Sequence, residues 1–365
     1  MYKRFSLLFM SLSLIFLGLC IRLFFMSSLE LKSVFIQPFV FQLLSFSLPF
    51  SVYFYLILSS INGFLFYKIG AYKVPFLGFV ALGLYAFSPW FIYADISQSI
   101  YVFGVLGVLM TIFGYLKNDS RNGYRLLLGG GLLLSYVFLF GFIYYIFLLT
   151  LCYRKDRQKL LSGIIPLVPL LCLAFYNIEG LKNIIQLEFS VFNDIGIINA
   201  INVFQGNLYQ LGWGSGGKLI INKFSYFFLV IFDSICRILS PVTYFSAERR
   251  MFGFSNLFPL SFVLILPLLF GLKKLFENKL FSTVIAAFFL LSISSLFTSK
   301  IFQLEKLLLI APFLVFLISF GVHELYIKKY KKTLMIITII FIVSFIISFI
   351  DFSLYENMRL DLFKR

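Results

Sequence analysis

The chain has 365 residues, of which 61% are hydrophobic and only 13% are charged, and its net charge is +16. Charged residues make up roughly a quarter of a typical soluble domain, so this composition excludes an ordinary soluble enzyme. Apolar runs long enough to cross about 30 Å of hydrocarbon recur along the whole sequence. We therefore predict an all-α, polytopic membrane protein, located in the cell membrane.

The positive charge is concentrated in short clusters between the apolar runs. This is the pattern of cytoplasmic loops in membrane proteins, and it argues against a nucleic-acid partner. The clusters lie at 3–4, 68–73, 117–125, 154–159, 273–279 and 328–332. The turns at 93–95 and 298–299 contain no basic residue, so we expect them to face the opposite side.

The apolar runs predict about 11 crossings, with the N-terminus inside and the C-terminus outside. The first, 5–27, is too long for a signal-peptide core and is expected to be a retained anchor. An apolar helix at 34–50 lies in the outer loop that follows. The further predicted spans are 51–68, 74–92, 96–116, a hairpin over 124–152, 161–177, 257–274, 280–297, 306–326 and 333–350.

Two segments are assigned from charge rather than from hydropathy. Residues 124–152 form one apolar run with basic clusters at both ends, which predicts two short helices with a bend near 135–141. Residues 223–242 resemble a span but contain Asp233 and Arg237, four residues apart on one helix face. We expect this second segment to be an interfacial helix on the outer surface.

These assignments divide the chain into three parts. Residues 1–177 form an N-terminal transmembrane module, 178–256 a long outer segment with the interfacial helix, and 257–365 the C-terminal transmembrane helices. The four cysteines lie in apolar stretches without metal-ligand spacing, and the only histidine, His323, stands beside a lysine cluster. We therefore expect neither a metal site nor a cofactor.

Residues 76–116 read as two spans joined by a tight turn, with Ser88-Pro89-Trp90 ending the first span and Asp95 in the turn. This segment resembles the third and fourth spans of GT-C membrane glycosyltransferases, especially the protein O-mannosyltransferase-like branch. Residues 35–70 are similar to that family's juxtamembrane helix and second span. Further resemblances follow in the family's order, at 188–207 and 222–272 for an outer region and at 302–325 for a late span.

The resemblance implies a GT-C-like fold and transfer of a sugar from a polyprenyl-phosphate donor at the outer face. Such a reaction needs a carboxylate to take the acceptor's proton and cations to hold the phosphate. The family's carboxylate lies in the first outer loop, in an acidic motif. Here that loop is shortened, and its only acid is Glu30.

The candidate bases are Glu30 and Asp95. Glu30 has an alternative reading as a solvated acid paired with Lys32, and Asp95 as the N-cap of the next helix. The candidate phosphate-binding cations are Arg22, Arg249, Arg250, Lys300 and Lys306. Each of these cations has an alternative reading as an interfacial anchor.

Two other functions stay open. A degenerate, non-catalytic GT-C-like protein would bind a lipid or a membrane partner. A lipid-linked glycan polymerase or flippase would need several arginines in outer loops or spans. The expected partners are a polyprenyl-phosphate-linked sugar and membrane lipid, and the acceptor is a glycan, a lipid or a protein.

Overall fold

All the elements that the structure, a computed structural model, describes are helical, which confirms the all-α class. The described residues are 2–28, 52–72, 74–97, 99–117, 120–153, 164–188, 195–213, 216, 218, 222–245, 260–277, 281–296 and 306–363. The predicted apolar helix at 34–50 lies outside them.

The N-terminal part contributes seven α-helices. They are α1 (Tyr2–Ser28), α2 (Val52–Gly70), α3 (Pro75–Phe87), α4 (Pro89–Ile96), α5 (Tyr101–Leu116), α6 (Arg121–Val137) and α7 (Gly141–Tyr153).

The remaining described residues form nine α-helices and several single turns. The helices are α8 (Val168–Tyr176), α9 (Ile178–Glu188), α10 (Ile195–Leu208), α11 (Lys223–Leu239), α12 (Pro241–Phe245), α13 (Ile265–Phe276), α14 (Phe281–Leu296), α15 (Ala311–Ile327) and α16 (Lys331–Phe363). The turns at Ile165–Leu167, Phe262–Leu264 and Lys306–Ile310 are 3₁₀ turns that lead into α8, α13 and α15, and Tyr209–Trp213 is a π-helical turn after α10.

Among the described residues, one helix is both long and apolar enough to cross a membrane: Lys306–Ile327, which joins the 3₁₀ turn to α15. Two strongly bent pairs raise this number to three if each pair forms one span. They are α3 with α4, at 54°, and the α8 segment with α9, at 92°. Several other apolar helices are 10–17 residues long. The figure of about 11 crossings stays a prediction.

The bend between α3 and α4 follows from the Ser88-Pro89 pair. Proline has no N–H to donate to the preceding turn, and its ring pushes the residue before it out of the helical region. Ser88 is accordingly extended, at φ −76° and ψ 124°, and Pro89 starts a new helix. The helix then continues to Ile96, so Asp95 lies within α4 and not in a turn at 93–95 as the sequence predicted.

The predicted hairpin is present as α6 and α7, which pack against each other and are separated by three residues, 138–140. A Cβ at Gly141 would clash with the carbonyl of Leu134, so the tight bend requires glycine there. The ring of Phe138 stacks on Tyr101 at 5.1 Å, which places the bend level with the start of α5. The predicted bend near 135–141 is therefore confirmed.

Several helix ends that carry basic clusters meet at one end of the bundle. The ring of Phe76, at the start of α3, stacks on Tyr326, at the end of α15, at 5.1 Å. Lys274 Nζ, at the end of α13, lies 3.7 Å from Glu324 Oε1 of α15. We call this end, where Lys68, Lys273, Lys274, Lys328 and Lys329 lie, the basic end.

Helix α11 begins at Asn222, whose side chain accepts from the N–H groups of Phe224 and Ser225 in a capping box. The stripe of Phe224, Phe228 and Phe232 is 59–74% exposed. A helix with so much exposed apolar surface fits the predicted interfacial position, which stays a prediction.

If both flanks of the α6–α7 hairpin face the cytoplasm, cysteines at Ser120 and Gln158 will react with a membrane-impermeant thiol reagent only from the inside. A cysteine at Lys182, in the predicted outer segment, will react only from the outside. The measurement needs a background without Cys20, Cys152, Cys172 and Cys236. Labelling of Ser120→Cys and Gln158→Cys from opposite faces would overturn the topology.

The exposed native Cys236 lies one turn beyond Phe232 on α11 and offers a direct probe of the interfacial helix. We expect a spin label there, in bilayers, to be more accessible to oxygen than to a water-soluble nickel chelate. A label at Lys182→Cys should show the opposite order. The same order at both sites would exclude contact between the phenylalanine stripe and lipid.

Candidate functional site

A buried ion pair joins the first and the fourth helix. Arg22 of α1 and Asp95 of α4 are each 1% exposed, and Arg22 Nε donates to Asp95 Oδ2 at 2.5 Å. The two residues are 73 positions apart in the sequence. Burying a single unpaired charge costs several kcal/mol, so the two charges are tolerated here because they neutralise each other.

Two hydroxyl groups complete the surroundings of the carboxylate. Ser59 of α2 donates its hydroxyl hydrogen to Asp95 Oδ2 at 2.8 Å. The hydroxyl of Tyr85, on α3, lies 2.7 Å from Ser59 Oγ and 3.0 Å from the Ser59 carbonyl oxygen, to which it donates. Side chains of four helices, α1 to α4, thus converge on one carboxylate.

Arg22 also stabilises the end of α3. Its Nη1 donates to the carbonyl of Gly18 at 3.1 Å and to that of Ala86 at 3.5 Å. The carbonyl of Ala86 belongs to the last turn of α3, where carbonyls lack intrahelical partners and a positive charge is favourable. The guanidinium carbon lies 5.0 Å from the centre of the Tyr85 ring, a cation–π contact.

One polar atom of this cluster has no partner among the described residues. It is Nη2 of Arg22, which is fully buried. A cavity of about 10 Å³ adjoins Arg22, Ser59 and Tyr85, and a space of that size is roughly what one water molecule needs.

The arrangement decides between the two readings of Asp95. The N-cap position of α5 is Ile100, and Asp95 points to Arg22 instead of to the start of α5, so the capping interpretation is wrong. A general base must reach the acceptor's hydroxyl group. Asp95 is only 1% exposed, and Arg22 and Ser59 are bound to its carboxylate. In this conformation an acceptor's hydroxyl group cannot reach the carboxylate.

Of the other predicted site residues, only Lys306 lies within the described part of the chain. Glu30, Arg249, Arg250 and Lys300 lie outside it. Lys306 is described and is 5% exposed, at the start of the 3₁₀ turn that packs against α5 and α14. The assignment of Arg249, Arg250, Lys300 and Lys306 as phosphate-binding cations therefore stays a prediction.

A cavity of about 210 Å³ lies beside the break between α3 and α4. Its walls come from Phe87 to Pro89, from the segment 260–262 before α13, and from Phe341 to Ile347 of α16. Ser261 lines it, and Ser261 Oγ is buried with no hydrogen-bond partner among the described residues. We call it the break cavity.

A second unpaired group lies beside the break cavity, on the residue that follows Pro89 of the cavity wall. Trp90, the second residue of α4, is fully buried, and its Nε1 has no acceptor among the described residues. Its ring lies 5.9 Å from that of Tyr244 in α12, whose carbonyl accepts from the N–H of Leu260. The Ser88-Pro89 pair marked this region in the sequence, but nothing in the sequence connected it with α12, Ser261 or α16.

No family model, curated protein or solved structure matches this chain. Among the described residues, no group of three or more His, Cys, Asp and Glu side chains lies close enough to hold a metal ion.

We expect removal of one partner of the buried pair to lower the free energy of unfolding by about 3–5 kcal/mol, because it leaves the other charge buried and unpaired. The double variant Arg22→Met and Asp95→Leu should lose much less free energy of unfolding than the sum of the losses in the two single variants. Thermal and denaturant unfolding of the purified protein in micelles measures both.

The matched control is the exposed pair of Asp233 and Arg237, whose Nε and Oδ2 atoms are 2.6 Å apart. Asp233→Asn should change the free energy of unfolding by less than about 0.5 kcal/mol, as is usual for exposed helical pairs. Additive losses for the Arg22 and Asp95 variants would show that the two charges are not coupled.

Proposed function

We propose that this chain is an integral membrane glycosyltransferase homologue that moves a sugar from a polyprenyl-phosphate donor to an acceptor at the extracytoplasmic face. The observation that carries the proposal is the break cavity, an apolar space with an unpaired hydroxyl. It adds to the resemblance of residues 76–116 to GT-C spans, which includes the Ser88-Pro89 pair at the cavity wall.

The position of the break cavity supports the assignment to the outer face. Helix α3 starts at the basic end and has 13 residues, so its far end lies about 20 Å away at 1.5 Å per residue. The ring contact between Phe87 and Phe345, at 5.4 Å, joins the far end of α3 to a distant part of α16, which also starts beside the basic cluster 328–332. Under the positive-inside rule this end faces away from the cytoplasm.

The composition of the cavity wall fits a lipid-linked donor. Phe87, Phe262, Phe341 and Phe345 offer aromatic and hydrocarbon surface to an isoprenoid chain. The hydroxyl of Ser261, which lines the cavity, has no protein partner among the described residues. A polar headgroup can therefore be recognised next to the apolar wall.

In the proposed reaction, the acceptor's oxygen attacks the anomeric carbon of the donor while the bond from that carbon to the phosphate oxygen breaks. A carboxylate takes the acceptor's proton, and cations stabilise the departing polyprenyl phosphate. We assign the base to Glu30 and the phosphate contacts to Arg249, Arg250, Lys300 and Lys306. Because Asp95 and Arg22 are bound to each other, we assign them a positioning role.

A second candidate function is a non-catalytic protein of the same architecture that binds a polyprenyl lipid or a membrane partner. The observation in its favour is the same buried pair: one of the two candidate bases is bound to a candidate phosphate ligand. The break cavity serves lipid binding equally well without any base.

The test is transfer of a labelled sugar from a polyprenyl-phosphate donor by the purified chain in liposomes. Glu30→Gln should reduce the rate by about 10²- to 10⁴-fold, the usual loss for a general base. Glu277→Gln is the matched control, since Glu277 lies at the basic end, and it should retain the wild-type rate. Full activity of Glu30→Gln would remove the base assignment. A wild-type protein that binds the donor but transfers nothing would favour the non-catalytic candidate.

A further inference from the structure

A second, larger cavity lies at the basic end of the bundle. Its volume is about 240 Å³, and helices α2, α3, α5, α6, α7, α13, α14 and α15 contribute to its walls. Ile112, Leu127, Leu148, Ala287 and Phe316 are representative of the lining, which is almost entirely aliphatic and aromatic. We call it the basic-end cavity.

Three of the hydroxyl groups in the lining, those of Thr111, Tyr144 and Ser319, are engaged with the protein. Thr111 donates to the carbonyl of Val108 at 2.7 Å, and its oxygen lies 3.2 Å from the hydroxyl of Tyr144. Ser319 donates to the carbonyl of Val315 at 2.7 Å. These groups do not need a water molecule or a polar ligand. A cavity of this kind is suited to hydrocarbon, and an apolar cavity of only about 150 Å³ already binds benzene.

The edge of the basic-end cavity is polar and positively charged. Tyr72 and Lys274 line it and reach solvent, with Tyr72 48% exposed and the Lys274 side chain 55% exposed. Two further lysines are chain neighbours of lining residues: Lys68 comes directly before Ile69, and Lys117 comes directly after Leu116. Glu277 and Glu324 contact Lys274, but they are outnumbered by the lysines of the surrounding clusters.

An apolar interior with a cationic edge matches one kind of membrane molecule. A hydrocarbon chain fills the interior, and a negatively charged headgroup at the chain's end meets the lysines. Each basic residue near an anionic lipid surface contributes about 1 kcal/mol of attraction, or roughly a fivefold gain in binding. A zwitterionic lipid supplies the same chain without that attraction.

We propose that the basic-end cavity binds one acyl chain of an anionic phospholipid, with the phosphate held among Lys68, Lys117 and Lys274. This site lies at the opposite end of the bundle from the break cavity and does not depend on glycosyl transfer. Its occupant is a lipid of the leaflet at the basic end, distinct from the polyprenyl donor.

The test compares binding of phosphatidylglycerol and phosphatidylcholine with identical acyl chains to the full purified chain, by native mass spectrometry. We expect phosphatidylglycerol to bind at least about fivefold more tightly. Lys68→Gln, Lys117→Gln and Lys274→Gln together should remove this preference. Equal affinity of the wild type for the two lipids would overturn the anionic part of the proposal.

The chain's location is tested by filling the cavity. Ala287→Phe should weaken binding of both lipids about tenfold, the equivalent of excluding roughly two buried methylene groups. Ala286→Phe is the matched control, because Ala286 is the neighbouring residue on α14 and is not part of the lining. Unchanged binding by Ala287→Phe would place the acyl chain elsewhere.

A photoreactive group at the end of the acyl chain locates the chain in the wild-type protein, so this test does not require any variant to fold. In the wild-type protein, we expect cross-links to the lining segments of α5 and α15, within 111–116 and 313–320. Cross-links confined to the break cavity or to α11 would overturn the proposal, whatever the behaviour of Ala287→Phe.

Discussion

The missing N–H of Pro89 is the constraint on which the N-terminal part of the bundle depends. It interrupts the helix at Ser88 and lets α4 turn by 54° away from α3. The last carbonyls of α3 are thereby left for other donors, and Arg22 reaches that of Ala86. The turned α4 carries Asp95 back towards the same guanidinium, so one proline accounts both for the bend and for the place where the buried pair forms.

The buried pair fixes the relative position of α1 and α4 more than it adds to the net stability of the fold. A buried ion pair roughly repays its own desolvation, whereas the loss of one partner is costly. A displacement of α1 relative to α4 separates Arg22 from Asp95 while both groups stay buried, and the hydroxyls of Ser59 and Tyr85 also hold the carboxylate in place. The break cavity therefore has a wall fixed in position, as the proposed site for a lipid-linked substrate would require.

The sequence predicted those features that local chemistry determines. Basic flanks predicted the α6–α7 hairpin, since no single span satisfies both flanks, and the Ser88-Pro89 pair marked a break. The absence of basic residues at 93–95 led us to predict a turn there, but Tyr93-Ala94-Asp95 contains no helix breaker, and α4 extends to Ile96. Pairing of Arg22 with Asp95 across 73 positions is a tertiary contact without a local signal. The same holds for Ser261, which faces its cavity only because α16 packs beside the break.

The two cavities differ in whether the buried polar groups near them have hydrogen-bond partners within the protein. In the basic-end cavity, Thr111 and Ser319 donate to their own helices, so the mostly apolar interior offers an occupant chiefly dispersion contacts and exclusion of water. At the break, Ser261 Oγ and Trp90 Nε1 are buried without partners among the described residues. An unpaired buried donor costs roughly 1–3 kcal/mol, and for Ser261, which lines the break cavity, a polar partner in that cavity would recover this cost. In the two proposals, the unpaired hydroxyl of Ser261 is therefore suited to a polar headgroup at the break, and the apolar lining of the basic-end cavity is suited to a hydrocarbon chain.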